Sequence, residues 1–147
     1  MDQRRDELLA GLELRRVAER YAFAVDRGDG ALFAAQFVSD GVLESPRGRF
    51  AGWDELATVP ILSKQRYLAT FHAVLNQLAE VASESASAET YCIARHFLCD
   101  ADGRCNCHEM TIRYQDQFRR SNGNWLLARR ELVVDAFWTF PVEKRPT

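Results

Sequence analysis

The sequence predicts an α+β domain: a cone-shaped, curved sheet of about six strands, mixed or antiparallel, closed by N-terminal helices. Two patterns point to it. Helical spacing of apolar residues is confined to the first half of the chain, whereas four strand-like runs joined by turn-rich segments fill the second half. Size agrees: 147 residues with 47% apolar and 27% charged content can bury one core, and no repeat, linker or low-complexity segment divides residues 1–147 into more than a single domain.

From about residue 6 to residue 27, Leu14, Val17, Ala18, Tyr21 and Val25 recur at helical spacing, with Glu13, Arg15, Arg16, Glu19 and Arg20 between them. The last turn of this amphipathic helix is apolar nearly all round, because Phe23 and Ala24 point away from the main stripe, so it is expected to be enclosed on several sides. Arg27-Gly28-Asp29-Gly30 breaks the helix. Asp29 can cap a second, short helix through Leu32, Phe33 and Phe37, which Ser39-Asp40-Gly41 closes. Val42-Leu43-Glu44 and Arg49-Phe50-Ala51 flank Ser45-Pro46-Arg47-Gly48 and read as a hairpin. Helix is expected again from Trp53 to about residue 59, with Pro60 interrupting it and a continuation towards Tyr67. Residues 69–81, 90–98, 109–119 and 125–137 are strand candidates, expected to pair as an antiparallel meander.

A net charge of -2 without a basic stripe argues against nucleic acid as a partner. No apolar run approaches the roughly 20 residues of a membrane helix. The stretch Met1-Asp2-Gln3-Arg4-Arg5-Asp6-Glu7 mixes both charge signs and lacks the apolar core of a signal peptide, so a cytoplasmic location is expected. In that compartment Cys92, Cys99, Cys105 and Cys107 are expected as thiols, without structural disulfides. His96, Cys99, Cys105, Cys107 and His108 bring thiolates and imidazoles to one hairpin. Their spacing matches no finger or ribbon, and Asp100-Ala101-Asp102-Gly103 turns without a metal, so no metal site is assigned. With no Gly-x-Ser-x-Gly elbow, P-loop or dinucleotide fingerprint, no cofactor is assigned.

Two residues sit where an ordinary core would not put them. Asp26 follows Tyr21-Ala22-Phe23-Ala24-Val25 at a helix C-terminus, where the macrodipole disfavours an exposed carboxylate by about 0.3–1 kcal/mol. His72 lies in the apolar run Ala69-Thr70-Phe71-His72-Ala73-Val74-Leu75. If the fold joins them, Asp26 orients the imidazole and His72 moves the proton. The competing reading is a solvated Asp-Arg-Gly-Asp-Gly turn and a satisfied core histidine. Alternation puts His72, Val74 and Asn76 on one strand face, and Cys92, Ala94 and His96 on one face of the next. Ile112, Tyr114, Asp116 and Phe118 share the inner face of the third. Tyr114 then offers a hydroxyl to a substrate oxygen or fills the core, and Asp116 is expected to pair with Arg129 or Arg130. Three tryptophans and nine phenylalanines suggest an aromatic-lined pocket for a small, apolar, cyclic molecule.

Element order and particular residues together resemble the SnoaL-like branch of the nuclear-transport-factor-2-like superfamily. The resemblance rests on Tyr21-Ala22-Phe23-Ala24-Val25-Asp26 ending the first helix, Phe50-Ala51-Gly52-Trp53-Asp54-Glu55-Leu56 opening a later one, and His72 followed by Asn76 in the first long strand. It continues through Tyr114-Gln115-Asp116-Gln117-Phe118-Arg119-Arg120 and the hairpin Asn122-Gly123-Asn124-Trp125-Leu126-Leu127. In that branch, scytalone dehydratase and hexachlorocyclohexane dehydrochlorinase use an Asp of the first helix and a His of the first long strand as a catalytic dyad. Asp26 and His72 fall on those positions.

The resemblance therefore implies a cofactor-free, dehydratase-like lyase or isomerase that abstracts a proton from a small apolar cyclic substrate. Tyr114, Asn76, His96, Tyr21 and Trp53 are its candidate substrate-binding residues. Val25 and Ile112 stand where the dehydratase has polar groups, so the dehydratase's own substrate does not carry over. The alternative is a non-catalytic small-molecule-binding or oligomerisation module, including the small subunit of a ring-hydroxylating dioxygenase. A homodimer or homotrimer is expected, because sheets of this kind in the family usually pair face to face.

Overall fold

The structure is a computed structural model that describes residues 2–143. Helix α1 (Gln3–Arg27) starts at Asp2, whose carboxylate accepts the Arg4 backbone N–H, and stops at Gly28, whose φ of 68° is strained for any residue with a Cβ. Its stripe of Leu14, Val17, Ala18, Tyr21 and Val25 is buried. Phe23 corrects the expectation of an all-round enclosed last turn: it is 53% exposed, with the Arg27 guanidinium 4.7 Å above its ring.

Asp29 caps α2 (Gly30–Ala34) by accepting the Leu32 N–H at 2.9 Å. This helix is shorter than expected, because the chain is already extended at Phe37, where β1 (Phe37–Ser45) begins. Ser39-Asp40-Gly41 forms the irregular part of that strand instead of a helix stop. After β2 (Gly48–Ala51), α3 (Gly52–Arg66) packs so closely on α2 that a Cβ at Gly30 would come within 2.2 Å of the Ala57 carbonyl oxygen. Pro60 gives up one backbone hydrogen bond but is fully buried, and the helix runs through it uninterrupted.

Strands β3 (Ala69–Val81), β4 (Ser85–Cys99), β5 (Cys105–Ser121) and β6 (Asn124–Val142) form the expected meander; β3 has the predicted ends and the other three extend past theirs. The sheet order is β2-β1-β6-β5-β4-β3, and β1 runs parallel to β6, so the sheet is mixed. Irregularities bend it: one extra residue in β3 between Val74 and Gln77, and two in β6, between Leu127 and Arg129 and between Val134 and Ala136. Bulging frees carbonyls from the ladder. Arg15 of α1 takes up two of them, donating to Val74 O at 3.0 Å and to Leu75 O. The curved sheet wraps the helices, and the closed end packs Leu14, Val17, Phe118, Trp125 and Leu127.

Deep inside lies an ion pair in which Arg130 Nη1 has no hydrogen-bond partner. Arg130 donates through Nε and Nη2 to the two carboxylate oxygens of Asp116, each at 2.7 Å, and neither side chain is exposed. Of the two expected partners, Arg130 is therefore the one used; Arg129 instead reaches Glu44 and Glu131. The Arg130 guanidinium carbon lies 4.3 Å from the ring centroid of Tyr21 and 3.9 Å from that of Tyr114.

The expectation of free thiols fails at one place. Register sets Cys99 opposite Cys105 across the β4–β5 hairpin, with Cα atoms 4.0 Å apart, and a disulfide joins them; Cys92 and Cys107 remain free and buried. Among the described residues no helix is long and apolar enough to cross a membrane.

Candidate active site

Asp26, in the last turn of α1, faces the first residues of β3, and three donors of that strand converge on its carboxylate. Thr70 Oγ1 donates to Oδ1 at 2.8 Å, the His72 backbone N–H donates to Oδ2 at 3.0 Å, and His72 Nδ1 lies 2.7 Å from Oδ1. The strand thus provides the compensation that the negative end of the helix withholds. Burial of the carboxyl favours its neutral form, but the bonds from His72 and Thr70 outweigh it and hold Asp26 below the ordinary carboxylate range. An ionised carboxylate only accepts, so His72 Nδ1 carries a proton, and in the neutral ring the lone pair is on Nε2. The pair is largely withdrawn from solvent, with His72 and Asp26 side chains 7% and 22% exposed.

His72 lines a cavity of about 520 Å³, and Asp26 stands behind it. Val25, Leu43, Ile112, Leu132 and Val134 make the cavity's apolar walls. Tyr21, Tyr114, His96 and His108 interrupt them with polar groups, and Ser45, Arg47, Arg66 and Tyr67 belong to the β1–β2 turn and the end of α3. The volume is that of a site for a drug-sized molecule.

His96 meets the His72 ring edge-on, with centroids 5.5 Å apart, and packs at 4.6 Å on the Tyr67 ring. Its Nδ1 lies 3.4 Å from the His108 carbonyl oxygen, to which it donates. Burial first, and the neighbouring His72 charge second, push its pKa down to about 4. His96 is therefore neutral near pH 7, with Nε2 as an acceptor. Tyr114 and Tyr21 are 1% and 3% exposed, and burial pushes both phenols up, so their hydroxyls stay protonated.

Asp26, His72, Tyr21, His96 and Tyr114 thus come together at the cavity, and two other expected residues do not. Asn76 is exposed and outside the cavity, because the extra residue in β3 reverses the alternation that leads from His72 to Val74. Trp53 is 51% exposed; its Nε1 donates to the Phe37 carbonyl at 2.9 Å and ties α3 to β1. The sequence reading missed Thr70, Tyr67, Arg47, Arg66 and His108. Only Thr70 had a plain signal, two positions from His72 on the same strand face. Among the described residues no cluster of three or more His, Cys, Asp or Glu side chains is arranged to hold a metal.

Solved structures with this architecture include a protein of unknown function from Mycobacterium tuberculosis, with TM-score 0.79 and 23% identity over 92% of this chain and 77% of the other. A candidate scytalone dehydratase from Novosphingobium aromaticivorans is similar at TM-score 0.78 and 20% identity, over 95% of this chain and 91% of the other. A hexachlorocyclohexane dehydrochlorinase from Novosphingobium barchaimii is similar at TM-score 0.78 and 14% identity, over 94% and 93% of the two chains. At these identities the likeness establishes the fold. No curated protein is significantly similar in sequence. Residues 6–131 match the family described as the SnoaL-like domain, and with that match spanning most of the chain, the protein belongs to the SnoaL-like family of the nuclear-transport-factor-2-like superfamily.

Proposed function

We propose that the protein is a dehydratase-like lyase or isomerase in which His72, oriented by Asp26, abstracts a proton from carbon beside a carbonyl of a small, largely apolar, cyclic molecule. The 2.7 Å contact between His72 Nδ1 and Asp26, at the wall of the cavity, carries this reading. Nε2 takes the proton and Asp26 stabilises the imidazolium. The carbon–hydrogen electron pair passes towards the carbonyl oxygen. In an isomerisation His72 returns the proton to another carbon; in a dehydration it delivers the proton to the departing hydroxyl, which leaves as water. The Tyr114 hydroxyl donates to the oxygen that gains negative charge, and His96 Nε2 accepts from a substrate hydroxyl. Structural likeness to a candidate scytalone dehydratase and to a dehydrochlorinase supports eliminations as the reaction type.

The test is a library of cyclic ketones and hydroxyketones incubated in deuterium oxide and followed by NMR for exchange or loss of the proton next to the carbonyl. Wild type is expected to catalyse exchange and His72→Ala to lose it. Equal rates for both proteins would sink the role of His72. The exposed outer-face residues Phe71, Leu75, Tyr91 and Val133 suit a face-to-face homodimer or homotrimer. Light scattering reads the assembly directly, and a monomer at micromolar concentration would remove it.

A further inference from the structure

Of the sheet's arginines, Arg95, Arg113, Arg119, Arg129 and Arg130 each stand beside a carboxylate, and Arg120 donates to the Ser83 and Gly123 carbonyls and lies over the Trp125 ring. The two arginines that line the cavity do not: among the described residues Arg47 and Arg66 have no carboxylate partner. Instead they converge on a single ring. The guanidinium carbon of Arg47 lies 5.0 Å from the Tyr67 ring centroid and that of Arg66 lies 5.7 Å from it, and Arg47 Nη2 donates to the Tyr67 hydroxyl. That bond uses one of the five N–H donors of Arg47.

Both arginines are exposed, so they stand where the cavity meets solvent, and no Asp or Glu is among the lining residues to pair with them. Arg66 has a partial explanation within the fold, since it ends α3 and faces the negative end of that helix. Arg47 has none. It sits in the β1–β2 turn, where its backbone N–H donates to Ser45 Oγ at 3.2 Å, a bond that fixes the turn carrying the arginine to the cavity. The charge is thus set at one end of a largely apolar cavity whose other polar side chains are the tyrosines, the histidines, Ser45 and Ser63.

We propose that the molecule bound in this cavity is an acid: a cyclic, apolar body with a carboxylate held between Arg47 and Arg66, the ring lying against Leu43, Ile112 and Val134 and reaching His72. This rests on the reading of the cavity as a substrate site and adds the substrate's charge class. A carboxylate fits better than a phosphate ester, because the helix end nearby is a C-terminus, which repels a dianion more than a monoanion. Two guanidinium forks suit a planar carboxylate.

The inference is tested by equilibrium binding, which does not depend on turnover. Matched pairs of arylacetic and cycloalkylacetic acids and their methyl esters, with 1-naphthaleneacetic acid and its ester as the first pair, are titrated calorimetrically into wild type, Arg47→Gln, Arg66→Gln and the double variant. Wild type is expected to favour the acids by about ten-fold or more, an advantage that shrinks with added salt, falls several-fold in each single variant and disappears in the double variant. Lysine at position 47 should restore part of it. Equal affinity for the members of every pair, failure of every acid to bind, or an acid preference that survives in the double variant overturns the inference. Tighter binding of 1-naphthyl phosphate than of 1-naphthaleneacetic acid overturns the choice of carboxylate. A preserved acid preference in a protein without His72-dependent proton exchange would retain this inference while removing the proposed catalysis.

Discussion

Asp116 and Asp26 are both carboxylates that the cone takes out of water, yet the two are completed in different ways. Asp116 is met by a guanidinium through two parallel bonds, is wholly buried, and has beside it an arginine that never gives up its proton. Asp26 is met by a hydroxyl, a backbone N–H and an imidazole, keeps 22% of its side chain exposed, and so has a partner able to gain and lose a proton. Where the partner's charge is permanent, the pair is part of the scaffold. Where the partner titrates and opens on a cavity, the same carboxylate can serve chemistry. Burial alone does not separate the two; the pKa of the partner and its access to a ligand do.

The largest effect should come from breaking the scaffold pair. Arg130→Met leaves Asp116 charged and unpaired and should cost about 3–5 kcal/mol in urea denaturation, whereas adding Asp116→Leu to it should recover most of that loss. A single variant within about 1 kcal/mol of wild type would remove the distinction drawn between the pairs.

The second pair should fail in the opposite sense. Asp26→Asn keeps the size of the side chain and its acceptor oxygen but not the charge that stabilises the imidazolium. It should lower the proton-exchange rate by about 10²-fold or more, with a stability loss of about 1–2 kcal/mol because the amide nitrogen faces one of the three donors, well short of the loss in Arg130→Met. A variant with unchanged rate would reduce Asp26 to a helix terminus anchored on β3.

Acid sharpens the comparison further. The folded protein holds His96 neutral down to about pH 4, whereas the unfolded imidazole titrates near 6.5, so the unfolded state binds the extra proton first. Stability should therefore fall as pH drops from about 6.5 to about 4, by up to about 3 kcal/mol, and His96→Phe should flatten that slope. Asp26 has the usual carboxylate sign: its stabilising contribution is full above the ordinary value of 3.8 and is lost only as pH falls through its depressed one. Denaturation midpoints at half-unit pH steps separate the two windows. The smallest effect belongs to Thr70→Val, which removes one of the bonds to Asp26 and should cost about 0.5–1.5 kcal/mol by the same denaturation measurement.

Periodicity reported faithfully wherever an element is regular. The α1 stripe through Tyr21 and Val25, and the inward row Ile112, Tyr114, Asp116 and Phe118 of β5, are read directly from spacing, because neither contains an inserted residue. It misled where a distant partner decides. The irregularity that turns Asn76 outward is stabilised by Arg15, sixty residues away in sequence, and the parallel β1–β6 pairing that extends β1 back to Phe37 is equally non-local. Asp26 and His72 were recognisable because each is electrostatically or chemically out of place locally. Arg47 and Arg66 carry no local signal, since what distinguishes them is their convergence on the Tyr67 ring at the cavity, which only the tertiary fold brings about. The Cys99–Cys105 bond was not legible because the predicted strands stop at residue 98 and resume at residue 109, short of the register that sets the two residues face to face.

The clamp from Arg15 to the bulge of β3 has a mechanical meaning for the dyad. Asp26 follows Arg15 by 11 positions, about 16 Å along the helix axis, and both residues bind the same strand. A rod pinned to a plank at one point can still swivel; pinned at two it cannot. The helix is thereby denied rotation about its contact with the strand. The reach of the Asp26 carboxylate is set by an arginine three turns back along the helix, and the irregularity in β3 becomes the second pin of the plate on which His72 is mounted.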